Sequence, residues 1–303
     1  MEGETIFEVI IIGGSFAGLS AALSLGRSLR TVLVIDDNNP CNSNTPFSHN
    51  FITNDGSRPE SIRRKAREQV LRYPSVYFFD GLATGITQNS GLFRVVTKKK
   101  KTFTAKKILF ATGVKDTVPI TPGFEECWGI SILHCPYCHG FEVKDKTMGV
   151  LGNGDMGFEL AKMISHWTKS LTLFTNGTST LTPNEVQKLN NHNIIVIENE
   201  VESIEHEKGF IKKLHLKDTD PIQLDVLFTQ LPFKQHCDIP EQLGCELTEK
   251  CFIKVDRCME TSIPGIYAAG DCLTLFRSVA NAVAQGNKAG AMINKQLIEE
   301  SFD

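Results

Sequence analysis

Two cysteines separated by two residues, in His134-Cys135-Pro136-Tyr137-Cys138-His139-Gly140, carry the clearest chemistry in this sequence of 303 residues. Such a pair can close a small disulfide ring, and the motif often lowers the pKa of one thiol so that a thiolate is available to attack. Redox exchange by Cys135 and Cys138 is one reading. Zinc bound by His134, Cys135, Cys138 and His139 is the other. Ligands packed so closely in sequence would strain a tetrahedral site, and no second Cys-x-x-Cys exists to complete a zinc ribbon, so no metal is assigned. His139 is the third catalytic candidate, either as proton carrier for the thiols or as a polar residue orienting the turn.

Two glycine-rich turns carry a second kind of chemistry. Gly13-Gly14-Ser15-Phe16-Ala17-Gly18 ends the apolar run Phe7 to Ile12 and precedes a small-residue helical stretch, Leu19 to Leu29. A turn this tight brings a pyrophosphate against a helix N-terminus, where unpaired N–H groups favour negative charge. Gly13 and Gly18 supply the turn and the close helix packing, while Ser15 replaces the middle glycine of the strict fingerprint. Asp36 ends the next strand, Thr31 to Ile35, where it can accept from ribose hydroxyls. The second turn, Gly152-Asn153-Gly154-Asp155-Met156-Gly157, matches the full fingerprint between a strand at Met148 to Leu151 and a helix at Phe158 to Trp167. After the following strand, Leu171 to Phe174, stand Thr175 and Asn176. They could hydrogen-bond either ribose form, but they are neither the acid that favours NAD nor the arginine that favours NADP.

The elements that position these residues repeat one βαβ grammar twice. A capping box at Ser57-Arg58-Pro59-Glu60 predicts a charged helix to about Tyr73, and strands are expected at Val76 to Phe79, Leu92 to Thr97, Thr102 to Thr104 and Ile108 to Ala111. The run Lys98-Lys99-Lys100-Lys101 reads as a solvated hairpin tip. Pro119, Pro122 and Gly123 mark a domain boundary before the second unit. Further strands are expected near Ile194 to Ile197 and Val226 to Phe228, and Pro240 with Gly244 suggests a second crossing. Gly265 to Asp271 is a last strand and turn before a helix from about Val279.

Composition narrows the function classes. A formal net charge of -3 gives no global attraction to nucleic acid or anionic lipid. No apolar stretch is long enough to span a bilayer, and the acidic start lacks the basic head of a secretory signal. Nine cysteines, scattered through a chain too long to need stapling, point to a reducing compartment, by default the cytoplasm.

With two nested nucleotide folds and a dithiol at the head of the inner one, the whole chain resembles the low-molecular-weight thioredoxin reductases, a family of pyridine nucleotide-disulfide oxidoreductases. The resemblance implies an α/β fold of two nested Rossmann-like domains, each doubly wound and three-layered. Residues 1–115 and 245–303 would bind FAD, and residues 116–244 would bind NAD(P)H and carry the dithiol. It implies FAD at Gly13, Gly14, Ser15, Ala17, Gly18 and Asp36, at Thr112-Gly113, at Gly270-Asp271 and at Arg277-Ser278-Val279. It places NADPH, with NADH as the alternative, at Gly152, Asn153, Gly154, Asp155, Met156, Gly157, Thr175 and Asn176. The implied activity is an electron relay from nicotinamide through FAD and the dithiol to a thioredoxin-like protein or a small disulfide. In that relay Cys138 faces the flavin and Cys135 attacks the substrate. Members of the family are commonly homodimers.

The sequence departs from typical members, which have Ala-Thr between the cysteines, an acid after the second cysteine and an arginine-rich stretch at the ribose. Here Pro136-Tyr137, His139 and Thr175-Asn176 stand in those places. Cys-Pro-Tyr-Cys-His-Gly looks more like a branch of bacterial reductase-like proteins and of oxidases that close disulfides in dithiol natural products. An oxygen-dependent dithiol oxidase and a non-catalytic flavin-binding regulator are therefore the alternative functions.

Overall fold

A computed structural model describes residues 6–302, which gather into two compact units. The first holds the chain through Ser43, Phe51–Lys115 and the chain from Phe233; the second holds Asn44–Asn50 and Asp116–Pro232.

The first unit opens with β1 (Ile6–Ile12), α1 (Phe16–Arg27) and β2 (Val32–Asp36). It continues through α2 (Pro59–Val70), β3 (Val76–Asp80), β4 (Ala83–Asn89), β5 (Leu92–Thr97), β6 (Thr102–Phe110) and β7 (Val114–Asp116). Four consecutive apolar residues in each of β1 and β2 suit parallel strands covered on both faces. The sheet order is β3-β2-β1-β6-β5-β4, with β1 parallel to both of its neighbours. The carboxyl end of β1 is thus a switch point, where open α/β sheets bind ligands, and Gly13 stands there.

Three sequence readings change in this unit. The expected strands at Thr102 and Ile108 are one strand, β6, because Lys107 between them is buried and paired with Glu300 instead of breaking the run. The capping box at Ser57 does not form: Arg58 is the N-cap and makes no side-chain cap bond. Pro59 disfavours helical geometry in the residue before it, so Arg58 is extended and Ser57 falls one position too early to cap. Strand β4, unread in the sequence, pairs antiparallel with β5.

The second unit contains α3 (Phe124–Cys127), β8 (Ile132–Leu133), α4 (Pro136–His139), β9 (Met148–Leu151), α5 (Gly154–Ile164) and β10 (Leu171–Phe174). It continues with α6 (Pro183–Asn191), β11 (Ile195–Ile197), β12 (Val201–Glu207), β13 (Phe210–Leu216), β14 (Ile222–Gln223) and β15 (Val226–Thr229). Its parallel sheet has the order β11-β10-β9-β15-β8, which places a second switch point after β9, at Gly152. Strands β12, β13 and β14 form a separate antiparallel sheet. Helix α5 begins at Gly154, earlier than the expected Phe158, because the Asn153 side chain caps it by accepting from the N–H of Gly154 at 2.8 Å.

The chain re-enters the first unit with β16 (Phe233–Gln235), α7 (Ile239–Gln242), β17 (Ile266–Ala268) and α8 (Val279–Phe302). The return lies at Phe233, before the expected turn at Gly244, because β16 pairs with β7 where the chain had left. Strand β17 joins the large sheet beside β6, and α8 lies along α1. Among the described residues no helix is long and apolar enough to cross a membrane.

Candidate functional site

In the first unit the glycine turn is forced by contact. Gly13 has φ +104°, and a Cβ there would lie 2.4 Å from the carbonyl oxygen of Ala111. A Cβ on Gly18 would lie 1.9 Å from the carbonyl oxygen of Gly13, so the first turn of α1 sits directly on the end of β1. The N–H of Gly14 donates to Asp36 Oδ1 at 3.0 Å, joining the turn to the end of β2. Ser15 is the N-cap of α1, and its side chain makes no cap bond.

The other expected residues of this unit converge on the same strand ends. Gly270 lies against Ala17, and its N–H donates to Gln285 Oε1 at 2.8 Å. Asp271 Oδ2 is 3.9 Å from Arg277 Nε, and the Ser278 hydroxyl caps α8 by accepting from the N–H of Asn281 at 3.1 Å. Thr112 Oγ1 and Gln235 Oε1 are buried without a hydrogen-bond partner. Leaving such atoms unpaired is costly, so a polar ligand seated over the strand ends suits them. Gln235 and Gln285 were not legible as site residues. Gln235 is placed by its Nε2, which donates to the carbonyls of Cys251 and Cys272 at 2.8 and 3.0 Å.

In the second unit a Cβ on Gly157 would lie 2.6 Å from Gly152, so α5 also packs directly on its strand end. Asn153 Oδ1 additionally accepts from Thr180 N and Oγ1, at 2.8 and 3.1 Å, and Asn153 Nδ2 donates to the Thr178 carbonyl at 2.9 Å. Asp155 and Met156 are exposed in the first turn of α5. Thr175 and Asn176, expected at the ribose, are both hydrogen-bonded within the fold. The Thr175 hydroxyl is buried and donates to the Gly177 carbonyl at 2.7 Å, while Asn176 Oδ1 accepts from the N–H of Val201 at 2.7 Å. Both groups brace the loop after β10. No Lys or Arg occurs from Ser170 to Gln187.

Cys135 and Cys138, also in the second unit, are joined as a disulfide with Cα atoms 5.3 Å apart. Pro136 starts α4 with φ pre-set, and Cys135 is its N-cap, with Sγ accepting from the N–H of Cys138 at 3.1 Å. That N–H favours a thiolate on Cys135 once the bond is opened. His139 follows Cys138 directly, and burial, then the charge of His49, pushes its imidazole down to about 4. It is therefore neutral near pH 7 and able to take a proton. His49 was invisible as a site residue: it arrives on the segment Asn44–Asn50, with its ring perpendicular to that of His139 at 6.4 Å between centroids and its Nδ1 3.4 Å from Glu142 Oε1. Four other thiols differ in kind. Burial pushes Cys272 up to about 12 and Cys237 up to about 11, and it also raises Cys127 and Cys245. Such thiols stay protonated and are poor nucleophiles.

The pyridine nucleotide-disulphide oxidoreductase family matches the chain over residues 7–286. The chain belongs to this family. Among curated members, a protein of Arthroderma benhamiae named "Probable thioredoxin reductase" is 31% identical, with 97% of this chain and 81% of that protein covered. A thioredoxin reductase of Claviceps purpurea is 30% identical, with 99% and 97% covered. A solved oxidoreductase from Agrobacterium tumefaciens superposes with a TM-score of 0.92 at 34% identity, covering 97% of this chain and 99% of that one. The family fold is the nested pair of Rossmann-like domains expected from the sequence, and the chain is a thioredoxin-reductase-like oxidoreductase acting on sulfur groups. FAD and a nicotinamide nucleotide are the cofactors of this family, and the unpaired Thr112 and Gln235 oxygens together with the two helix-on-strand turns fit such ligands.

Proposed function

We propose that this chain reduces the disulfide of a thioredoxin-like protein or of a small molecule, with Cys135 and Cys138 as the exchanging pair. The observation that carries this reading is the disulfide closed across the head of α4, with the Cys138 N–H directed at Cys135 Sγ and a neutral imidazole at the next residue. FAD, when bound, supplies the two-electron chemistry that opens this disulfide.

The chain's own residues hold and exchange. Gly13, Gly14, Ser15, Ala17 and Gly18 present the N-terminus of α1 to a pyrophosphate, and Asp36 accepts from a ribose. Thr112, Gly113, Gly270, Asp271, Arg277, Ser278 and Val279 complete that cradle. Gly152, Asn153, Gly154, Asp155, Met156 and Gly157 form the corresponding turn for the nicotinamide nucleotide. With no cation from Ser170 to Gln187 and with Thr175 turned inward, this site takes NADPH and NADH with little discrimination. In the dithiol state the Cys135 thiolate attacks one sulfur of the partner disulfide and expels the other as a thiolate. Cys138 then gives up its proton to His139 and attacks Cys135 Sγ, displacing the partner's sulfur from the mixed disulfide and closing the ring. The proton on His139 passes to this departing thiolate and the thiolate expelled first takes a proton from solvent, so the partner leaves as a dithiol and the enzyme has lost two electrons and one proton. A homodimer is part of this reading.

Cys138→Ser is the test. The variant is expected to keep bound FAD and to lose turnover of any disulfide; an unchanged disulfide-reductase rate overturns the assignment.

A further inference from the structure

One segment of the second unit has no part in either nucleotide turn. Residues Asn44–Asn50 lie within the first unit's stretch of sequence, yet they pack with the second unit, where Asn44 and Thr45 run past Gly129. What this excursion brings to the dithiol is His49. Its Nδ1 meets Glu142 Oε1 at 3.4 Å, and its ring stands against that of His139. Glu142 lies a few residues beyond His139 in the turn after α4, so these two partners of His49 belong to the dithiol segment.

We propose that His49, oriented by Glu142, is a positioning residue for the dithiol, holding the His139 imidazole neutral and in place beside Cys138. The proposal rests on the reading that this pair of cysteines turns over. His139 closes the same turn as the two cysteines and meets the His49 ring, and His49 in turn meets the Glu142 carboxylate. A proton carried on His49 is paired with that carboxylate, and its charge opposes a second proton on His139. The neutral ring can then accept the proton of the Cys138 thiol as the thiolate forms, and it returns that proton to the expelled thiolate of the partner. The charge that began on the Cys135 thiolate ends on the partner's other sulfur, which takes its proton from solvent, and the two electrons come from the dithiol itself.

Two imidazoles at this separation in a partly buried site are coupled by roughly half a pH unit to one unit. Removing His49 should therefore raise the titration of His139 by about that amount. The experiment follows the His139 imidazole resonance through a pH titration of the FAD-loaded full chain, in the wild type and in His49→Gln and Glu142→Gln. Initial rates with an aromatic disulfide dye are measured over the same pH range. The proposal expects both the resonance and the acid limb of the rate to move to higher pH in His49→Gln and, by less, in Glu142→Gln. Rates that fall equally at every pH while the His139 titration stays put would mark a merely structural contact and overturn it. Failure of the underlying reading has a different signature, a wild-type protein that turns over no disulfide at any pH.

Discussion

A methyl group placed on Gly286 would lie 2.0 Å from the carbonyl oxygen of Ala17, so α8 touches α1 backbone to backbone just behind the first glycine turn. The Ser20 hydroxyl reinforces this contact by donating to the Val283 carbonyl at 2.7 Å, and Gly290 repeats the close approach one turn later, against Ser24 and Ala21. An added carbon here meets backbone, which cannot rotate away. Gly286→Ala should destabilise the first unit by about 1–3 kcal/mol, and Gly286→Leu by more, as the helices are forced apart. Thermal release of FAD, followed by the rise in flavin fluorescence, should occur at lower temperature in both variants. An unchanged release temperature would show that α8 is free to shift.

The loop after β10 bears on nicotinamide choice. Thr175 Oγ1 and Asn176 Oδ1 are bonded internally, and no Lys or Arg occurs from Ser170 to Gln187 to hold an extra phosphate. The apparent affinities for NADPH and NADH should differ by less than about tenfold, since selective sites rely on an acid or a cation at this place. Anaerobic titration of the flavin spectrum with each nucleotide measures this directly. A much larger preference for either would mean that the ribose is read by a residue outside this loop.

The βαβ openings of both units were legible because each couples an apolar strand to glycines at fixed offsets, a local pattern with a local cause. The dithiol was legible for the same reason. Strands β12 and β13 were not read, because Glu202, Glu205, Lys212 and Lys213 crowd them with charge and their buried apolar residues are few. His49 could not be read at all: nothing in its neighbourhood marks it, and its meeting with His139 exists only because a short excursion of chain packs with the other unit. Thr175 and Asn176 show the converse, residues at the expected sequence position whose side chains the fold has already used. Sequence spacing names which residues reach a site, and hydrogen-bond partners decide whether they are available there.

Asp36 both braces the first turn and ends the strand that points at the proposed ribose. Oδ1 already accepts from Gly14, which leaves Oδ2 for a hydroxyl. Asp36→Ala removes both, and hydrogen bonds to a charged carboxylate make FAD binding weaker by about tenfold to a hundredfold in its absence. The ratio of FAD to protein after dialysis, together with reconstitution by added FAD, gives the number. Retention equal to wild type would separate Asp36 from the cofactor.

His139 also links stability to pH. Burial, aided by the charge of His49, holds its folded-state pKa near about 4, below the ordinary imidazole value, so the folded state prefers the neutral ring. The unfolded chain takes up this proton as the pH falls below its ordinary range, whereas the folded chain does not until about 4. Stability is therefore intact above the unfolded value, declines between the two, and levels below the lower one, by up to about 3 kcal/mol for this residue. The two tryptophans of the sequence, Trp128 and Trp167, both lie in the second unit. Trp167 meets the Tyr137 ring edge-on, and Trp128 lies beside His134. Their fluorescence thus follows unfolding of the unit that carries the dithiol. Urea midpoints taken at pH 7 and pH 5 should drop more for the wild type than for His139→Gln, which has no proton to gain. Equal drops would mean that the ring is solvated in the folded protein and contributes nothing to acid sensitivity.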